Sequence, residues 1–139
     1  MDGASQQSTQ MPLRAALYAR LSETYDAAES VPTQLANGER HAGRRGWRVV
    51  ARFQDDGYSA FKEIRRDGVA RLIEAIEGDE IDVVIIGDVD RLTRNLPDWG
   101  RFETAAVEHR VLLSAYAGGD LDLSAPEGWY YGGRRPTGA

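Results

Sequence analysis

Ser22 and a small set of arginines are the residues of this chain whose chemistry can be named first. Ser22 stands two positions after Arg20 in Tyr18-Ala19-Arg20-Leu21-Ser22, and a second group lies in Asp90-Arg91-Leu92-Thr93-Arg94. A hydroxyl is a nucleophile toward phosphorus, and a guanidinium grips phosphate oxygens with a two-pronged fork. If the backbone stays extended past Arg20, that side chain and Ser22 point the same way. Arg91 and Arg94 are three apart and share a face if their segment is helical. Together these groups suit attack on a phosphodiester, where losing one charge-stabilising donor commonly costs ~10² to 10³ in rate. Asp90 can orient the arginines or act as acid or base toward a leaving oxygen. Taken singly, each has a plainer reading: a strand-end ion pair for Arg20, and a helix cap with two solvated arginines for Asp90, Arg91 and Arg94.

Other residues extend or compete with this set. Arg65 and Arg66 close a long polar segment and can swing over a bound phosphate. Gln34 can hydrogen-bond near the nucleophile or sit solvated on its helix. Asp88-Val89-Asp90 follows a buried run, and such an Asp-x-Asp can bind Mg²⁺ for phosphoryl transfer. His41 and His109 are the only histidines, far apart in sequence, and neither stands near Ser22 to build a triad. Cysteine is absent, so thiol chemistry and thiolate metal sites are excluded. The first strand lacks the glycine fingerprint of dinucleotide and P-loop folds.

The elements that must position these groups alternate in type. Arg14 to Arg20 reads as a strand. Ser30 caps a helix with Pro32 in its first turn, and Gly46 stops it near Arg45. Trp47 to Phe53 is a second strand, followed by a long loop, Gln54 to Arg66. Asp67 is placed to cap a helix with the stripe Val69, Leu72, Ile73 and Ile76, ended by Gly78. Ile81 to Ile86 reads as a central parallel strand covered on both faces. Asn95 caps a third helix, with Leu96, Trp99, Phe102 and Ala106 as its stripe, and Val111 to Ala115 is a fourth strand. Strand and helix in alternation predict an α/β fold: an open, mostly parallel sheet of four or five strands with helices on both faces. Ligands of such sheets bind beyond the carboxyl ends of the strands. Ser22 and the Asp90 segment should emerge at that one edge.

Composition bounds the rest. The 139 residues with 42% hydrophobic content suffice for one domain with a proper core. No apolar stretch approaches the ~20 residues of a membrane span, and residues 1–12 read as a polar, disordered leader rather than a signal peptide. A net charge of −5 argues against a stand-alone DNA binder. Sixteen of the seventeen basic residues are arginine, Lys62 being the exception, a bias that GC-rich coding explains as well as phosphate binding does.

Five segments in order resemble the catalytic domain of serine recombinases, and most closely that of large serine integrases. They are Tyr18 to Ser22, Ser30 to Gln34 (Ser-Val-Pro-Thr-Gln), Asp55 to Ala60 (Asp-Asp-Gly-Tyr-Ser-Ala), Arg65 to Gly68 (Arg-Arg-Asp-Gly) and Asp90 to Asn95. The resemblance covers about Ala15 to Gly128. It implies that Ser22 attacks double-stranded DNA, leaving a 5′-phosphoserine link and a free 3′-hydroxyl. It implies that Arg20, Arg66, Arg91 and Arg94 hold the scissile phosphate, while Asp90 positions arginine or moves a proton and Gln34 supports the site. It implies no cofactor, no metal and no membrane, a dimer that pairs into a tetramer on DNA, and a cytoplasmic protein of a bacterium, phage or mobile element. Asp67 stands where the family often has proline, which leaves Arg65 open beside Arg66. The resemblance divides the chain into the leader, a catalytic domain over 13–124, and an irregular tail over 125–139 in place of the long dimer helix and DNA-binding domains. On that reading the isolated chain recombines DNA poorly or not at all, and site-specific recombination by residues 1–139 alone contradicts it. Two alternatives stand beside it: a truncated, non-enzymatic recombinase fold acting through partners or inert, and the Mg²⁺-dependent enzyme using Asp88 and Asp90.

Overall fold

Five consecutive buried residues, Ala15 to Ala19, leave strand β1 (Arg14–Arg20) no exposed face. It lies inside a sheet of order β2-β1-β3-β4-β5, seen in a computed structural model that describes residues 12–20, 30–55, 67–88 and 99–123. The other strands are β2 (Arg48–Asp55), β3 (Val83–Ile86), β4 (Leu112–Ala115) and β5 (Gly119–Leu121). The first four run parallel, and β5 is antiparallel to β4. The expected leader, apart from Pro12, and the expected tail over 125–139 lie outside the described residues.

Helix α1 (Val31–Arg45) forms where its local signals place it. The Ser30 hydroxyl accepts from Thr33 N–H at 3.2 Å, satisfying one of the unpaired amides of the first turn. Gly46 ends the helix at φ 75°, a conformation that costs other residues about 1 kcal/mol or more. Helix α2 (Asp67–Glu77) buries Val69, Leu72, Ile73 and Ile76, as the periodicity predicts. Helix α3 (Trp99–Glu108) buries Phe102, Ala105 and Ala106; Asn95 and Leu96 lie outside the described residues.

The helices divide between the two faces of the sheet. Ala42 and Leu35 of α1 pack with Ala15, Leu17, Val83 and Ile85. The stripes of α2 and α3 pack with Ala16, Tyr18, Val84, Ile86 and Leu113 on the other face. The chain therefore steps from β1 outward to β2, then crosses back to β3 on the far side of β1. The carboxyl ends of β1 and β3 flank the point where the winding reverses, the place where open α/β sheets bind ligands.

Strand β2 contains an irregularity. Ala15 pairs with Val49 but Ala16 pairs with Ala51, so Val50 is an extra residue and is 40% exposed. The insertion reverses which side chains face which layer. Val49 packs on the α1 side, whereas Phe53 packs on the α2 side.

Four expectations need correction. β2 continues two residues past Phe53, because Arg20 at the end of β1 still pairs with Asp55. β3 starts at Val83 rather than Ile81, and Asp82 instead accepts from Arg14 N at 2.7 Å and from its Nε at 3.0 Å. β4 starts at Leu112 rather than Val111, whose own N–H bonds Ala106 O to close α3. Finally, His41 is less isolated than its place in the sequence suggests. Its Nε2 lies 2.8 Å from Ser114 Oγ, which donates to Asp120 Oδ1 at 2.6 Å, and Arg45 Nη2 binds Asp120 Oδ2 at 2.7 Å.

This group is structural rather than catalytic. Ser114 is fully buried, and the carboxylate meets the serine rather than the imidazole. Since the hydroxyl proton goes to Asp120, Nε2 of His41 must carry the proton it shares with Ser114. Burial lowers the pKa of His41, and the nearby positive Arg45 and Arg44 lower it further. Burial works against ionised Asp120, but the bonds from Arg45 and Ser114 outweigh it and hold the carboxyl below its ordinary value. Both shifts have one sign for stability. The unfolded chain binds more protons than the folded one, so stability decreases as the solution is acidified. The His41 share is complete above its ordinary value of 6.5 and is lost as pH drops through the depressed one. Urea midpoints are expected to be lower at pH 5.5 than at pH 7.5, with a flatter dependence in His41→Gln.

Candidate active site

Three strands deliver their chain ends to one edge. Arg20 and Asp55 are paired at the ends of β1 and β2. Leu17 pairs with Ile85, the last rung between β1 and β3, and β3 ends one residue later at Ile86. Neighbouring strands lie about 4.8 Å apart. The segment holding Ser22 follows Arg20, that holding Arg65 and Arg66 follows Asp55, and that holding Asp90, Arg91 and Arg94 follows Asp88.

Of the expected site residues, Arg20 and Gln34 are within the described residues; Ser22, Arg66, Asp90, Arg91 and Arg94 lie outside them, as does Arg65. Asp88 is exposed. Among the described residues no group of three His, Asp or Glu side chains is placed to hold a metal ion.

Gln34 has a definite role. Its Oε1 accepts from Arg20 N–H at 3.1 Å and its Nε2 donates to Arg20 C=O at 3.1 Å. A side-chain amide thus pairs with both peptide groups of one residue, as a neighbouring strand would. β1 leaves its pairing with β3 at Leu17, and Gln34 holds the strand three residues further on. The serine lies two residues beyond that point. Ser30 caps α1, Gln34 sits in its first turn, and so the helix that follows the Ser22 segment grips the strand that precedes it.

Sequence reasoning missed a second fixed point. Asp67 is the expected cap of α2, but the acceptor is Asp55, from the end of β2. Its Oδ1 accepts from Gly68 N–H at 2.8 Å and its Oδ2 from Val69 N–H at 3.0 Å. Tyr18 Oη donates to the same Oδ2 at 2.7 Å. Gly68 is required for this approach, because a Cβ there would lie 2.2 Å from Gln54 O. The signal available in the sequence was an aspartate closing a strand and a glycine opening a helix, 13 residues apart.

Comparisons with known proteins agree with this layout. The resolvase N-terminal domain family matches residues 15–129. The N-terminal catalytic domain of TP901-1 integrase superposes with a TM-score of 0.60 at 25% identity, covering 83% of this chain and 85% of that one. The C-terminal catalytic domain of ISC1926 TnpA, an IS607-like serine recombinase, gives 0.59 at 29% identity, covering 74% and 69%. A resolvase-family site-specific recombinase from Streptococcus pneumoniae shares the fold, at 0.58 and 24% identity over 75% and 72%. No curated protein sequence matches significantly.

Proposed function

The chain belongs to the resolvase N-terminal domain family, and from that premise we propose that it breaks and rejoins DNA at specific sites through Ser22. The observation that carries this reading is the common edge. β1, β2 and β3 are parallel and end at the same edge of the sheet, and each precedes in sequence one segment of the serine and arginine set.

In the proposed step the Ser22 oxygen attacks the scissile phosphorus. A phosphoserine bond forms to the 5′ side, the bond to the 3′ oxygen breaks, and that oxygen leaves as a hydroxyl. The serine gives up a proton and the leaving oxygen gains one, with Asp90 or an arginine as carrier. Arg20, Arg66, Arg91 and Arg94 offset the charge gathering on the non-bridging oxygens. One phosphoester replaces another, so attack by a 3′-hydroxyl on the phosphoserine rejoins the strand without ATP. Gln34 holds Arg20, and so the root of the nucleophile segment, in place for both directions.

The test uses the whole chain joined to a sequence-specific DNA-binding module, since a net charge of −5 provides little hold on DNA by itself. Incubation with a DNA duplex carrying the module's site, in EDTA, is expected to yield a covalent protein–DNA adduct with a free 3′-hydroxyl. Cleavage that requires Mg²⁺ and leaves no adduct would instead favour phosphoryl transfer through Asp88 and Asp90. A fold that bound its partners but made no adduct would favour the non-enzymatic reading.

A further inference from the structure

Helix α1 is tied to both borders of the sheet, and we propose that it is a lever through which the docking of β5 sets the backbone of Arg20 at the end of β1. Its polar side chains reach four of the five strands. Glu39 pairs with Arg52 of β2, and Gln34 holds both peptide groups of Arg20 in β1. His41 meets Ser114 of β4, and Arg45 forks onto Asp120 of β5. One rigid element therefore joins the outermost strand on one side to the strand that precedes the proposed nucleophile.

Gly38 supplies the pivot. Buried Leu17 of β1 fills the space a side chain there would need, its Cδ2 lying 2.9 Å from the position of a Cβ, so the helix rests directly on the strand. Gln34 is four residues before Gly38 and Arg45 seven after it, about 6 Å and about 10 Å along the axis. A tilt that shifts Arg45 by about 1 Å thus shifts Gln34 by about 0.6 Å. That stretches its two 3.1 Å bonds past the useful range. The β5 end is the one able to let go. β5 has three residues, pairs with β4, and is outermost on its side among the described residues. Its charged tie to α1 is Asp120, whose Oδ2 accepts from Arg45 Nη2 at 2.7 Å and whose Oδ1 accepts from Nη1 at 3.3 Å and from Ser114 Oγ at 2.6 Å. The Arg45 guanidinium lies 4.4 Å from the centre of the Trp47 ring, which fixes the direction of its fork. Short edge elements open at far lower cost than the body of a sheet, so the latch has a closed and an open state. Whatever draws Asp120 off the sheet loosens Arg20 at the other end of the helix.

The readout is amide hydrogen exchange of Arg20, whose N–H is held by Gln34, followed by NMR on the full chain. Asp120→Asn keeps the shape and removes the charge that Arg45 grips. It is expected to speed Arg20 exchange about 5- to 20-fold, while amides of Leu17 and Ile85 in the body of the sheet stay within about 2-fold. In the Gln34→Met background the Arg20 amide has already lost this acceptor, and Asp120→Asn should alter it by less than about 2-fold. An unchanged Arg20 amide, or equal acceleration throughout β1 and β3, overturns the proposal, the second because it marks a general loss of stability. Should Asp120→Asn fail to fold, Arg45→Gln removes the fork from the exposed end of the helix, with the same expectations and the same overturning results. The bearing on chemistry rests on the proposed function. Adduct formation by the module-fused chain should slow about 5- to 20-fold in Asp120→Asn, and a rate within about 2-fold of wild type overturns the lever's role in the reaction. A wild-type chain that makes no adduct defeats the recombinase reading alone, since the exchange result does not involve Ser22.

Discussion

Ser22→Ala is expected to abolish the covalent protein–DNA adduct, by a factor on the order of 10⁴ or more. The magnitude follows from what is removed. An arginine that stabilises transition-state charge can be lost for ~10² to 10³, because its neighbours still act. The nucleophile supplies the bond that defines the intermediate, and no neighbour replaces it. Denaturing gel electrophoresis of end-labelled duplex, run in EDTA, reads the adduct directly. Affinity for the duplex should be unchanged, since it comes from the attached module. An adduct that survives in Ser22→Ala would transfer the role to another hydroxyl and remove the central element of the mechanism.

Gln34→Met is expected to slow adduct formation about 10- to 100-fold, although the residue need not touch the phosphate. The side chain keeps its length but loses both bonds to Arg20. At about 0.5–1.5 kcal/mol each, the two bonds represent about 1–3 kcal/mol of order at the strand end. Gln34→Glu should be no better than Met. A carboxylate can accept from Arg20 N–H but has nothing to donate to Arg20 C=O, and its charge opposes a bound phosphate. If both variants stayed within about 2-fold of wild type, Gln34 would be an ordinary helix residue. Rates of adduct formation at saturating duplex, beside urea midpoints, separate loss of positioning from loss of fold.

The sequence is most legible where its signals are local. β1 runs from Arg14 to Arg20 because its five central residues, Ala15 to Ala19, suit a covered strand, and α1 keeps its bounds because Ser30 and Gly46 carry their own backbone chemistry. The pattern of α2 was equally readable, but its cap was not. Asp55 reaches Gly68 across 13 positions, and nothing in the local composition prefers it to Asp67. His41 and Ser114 are 73 residues apart, so their bond is a product of the fold alone. β5 is only three residues long, paired antiparallel to β4, and too short to show a period. As for the site, the order of the candidate residues and the strands they follow are legible in the sequence, whereas Gln34 reads there as well as a solvated helix residue as a neighbour of the nucleophile. Its grip on the Arg20 backbone was not foreseeable, because side-chain amides are equally at home in water. Ser22, Arg66, Asp90, Arg91 and Arg94 lie outside the described residues, and their meeting around one phosphate is part of the proposed function.

The extra residue in β2 bears on how the molecule avoids its own kind. β2 is the outermost strand on its side among the described residues, and such rims invite a second chain to zip alongside. Val50 throws the rim out of step midway, exposed Arg48 places a positive charge on it, and Arg52 is paired with Glu39 of α1. A stranger's strand that matched the rungs before the insertion would be misaligned after it. Crowding during synthesis should therefore produce few stacked aggregates through this border, leaving association to surfaces of other shape.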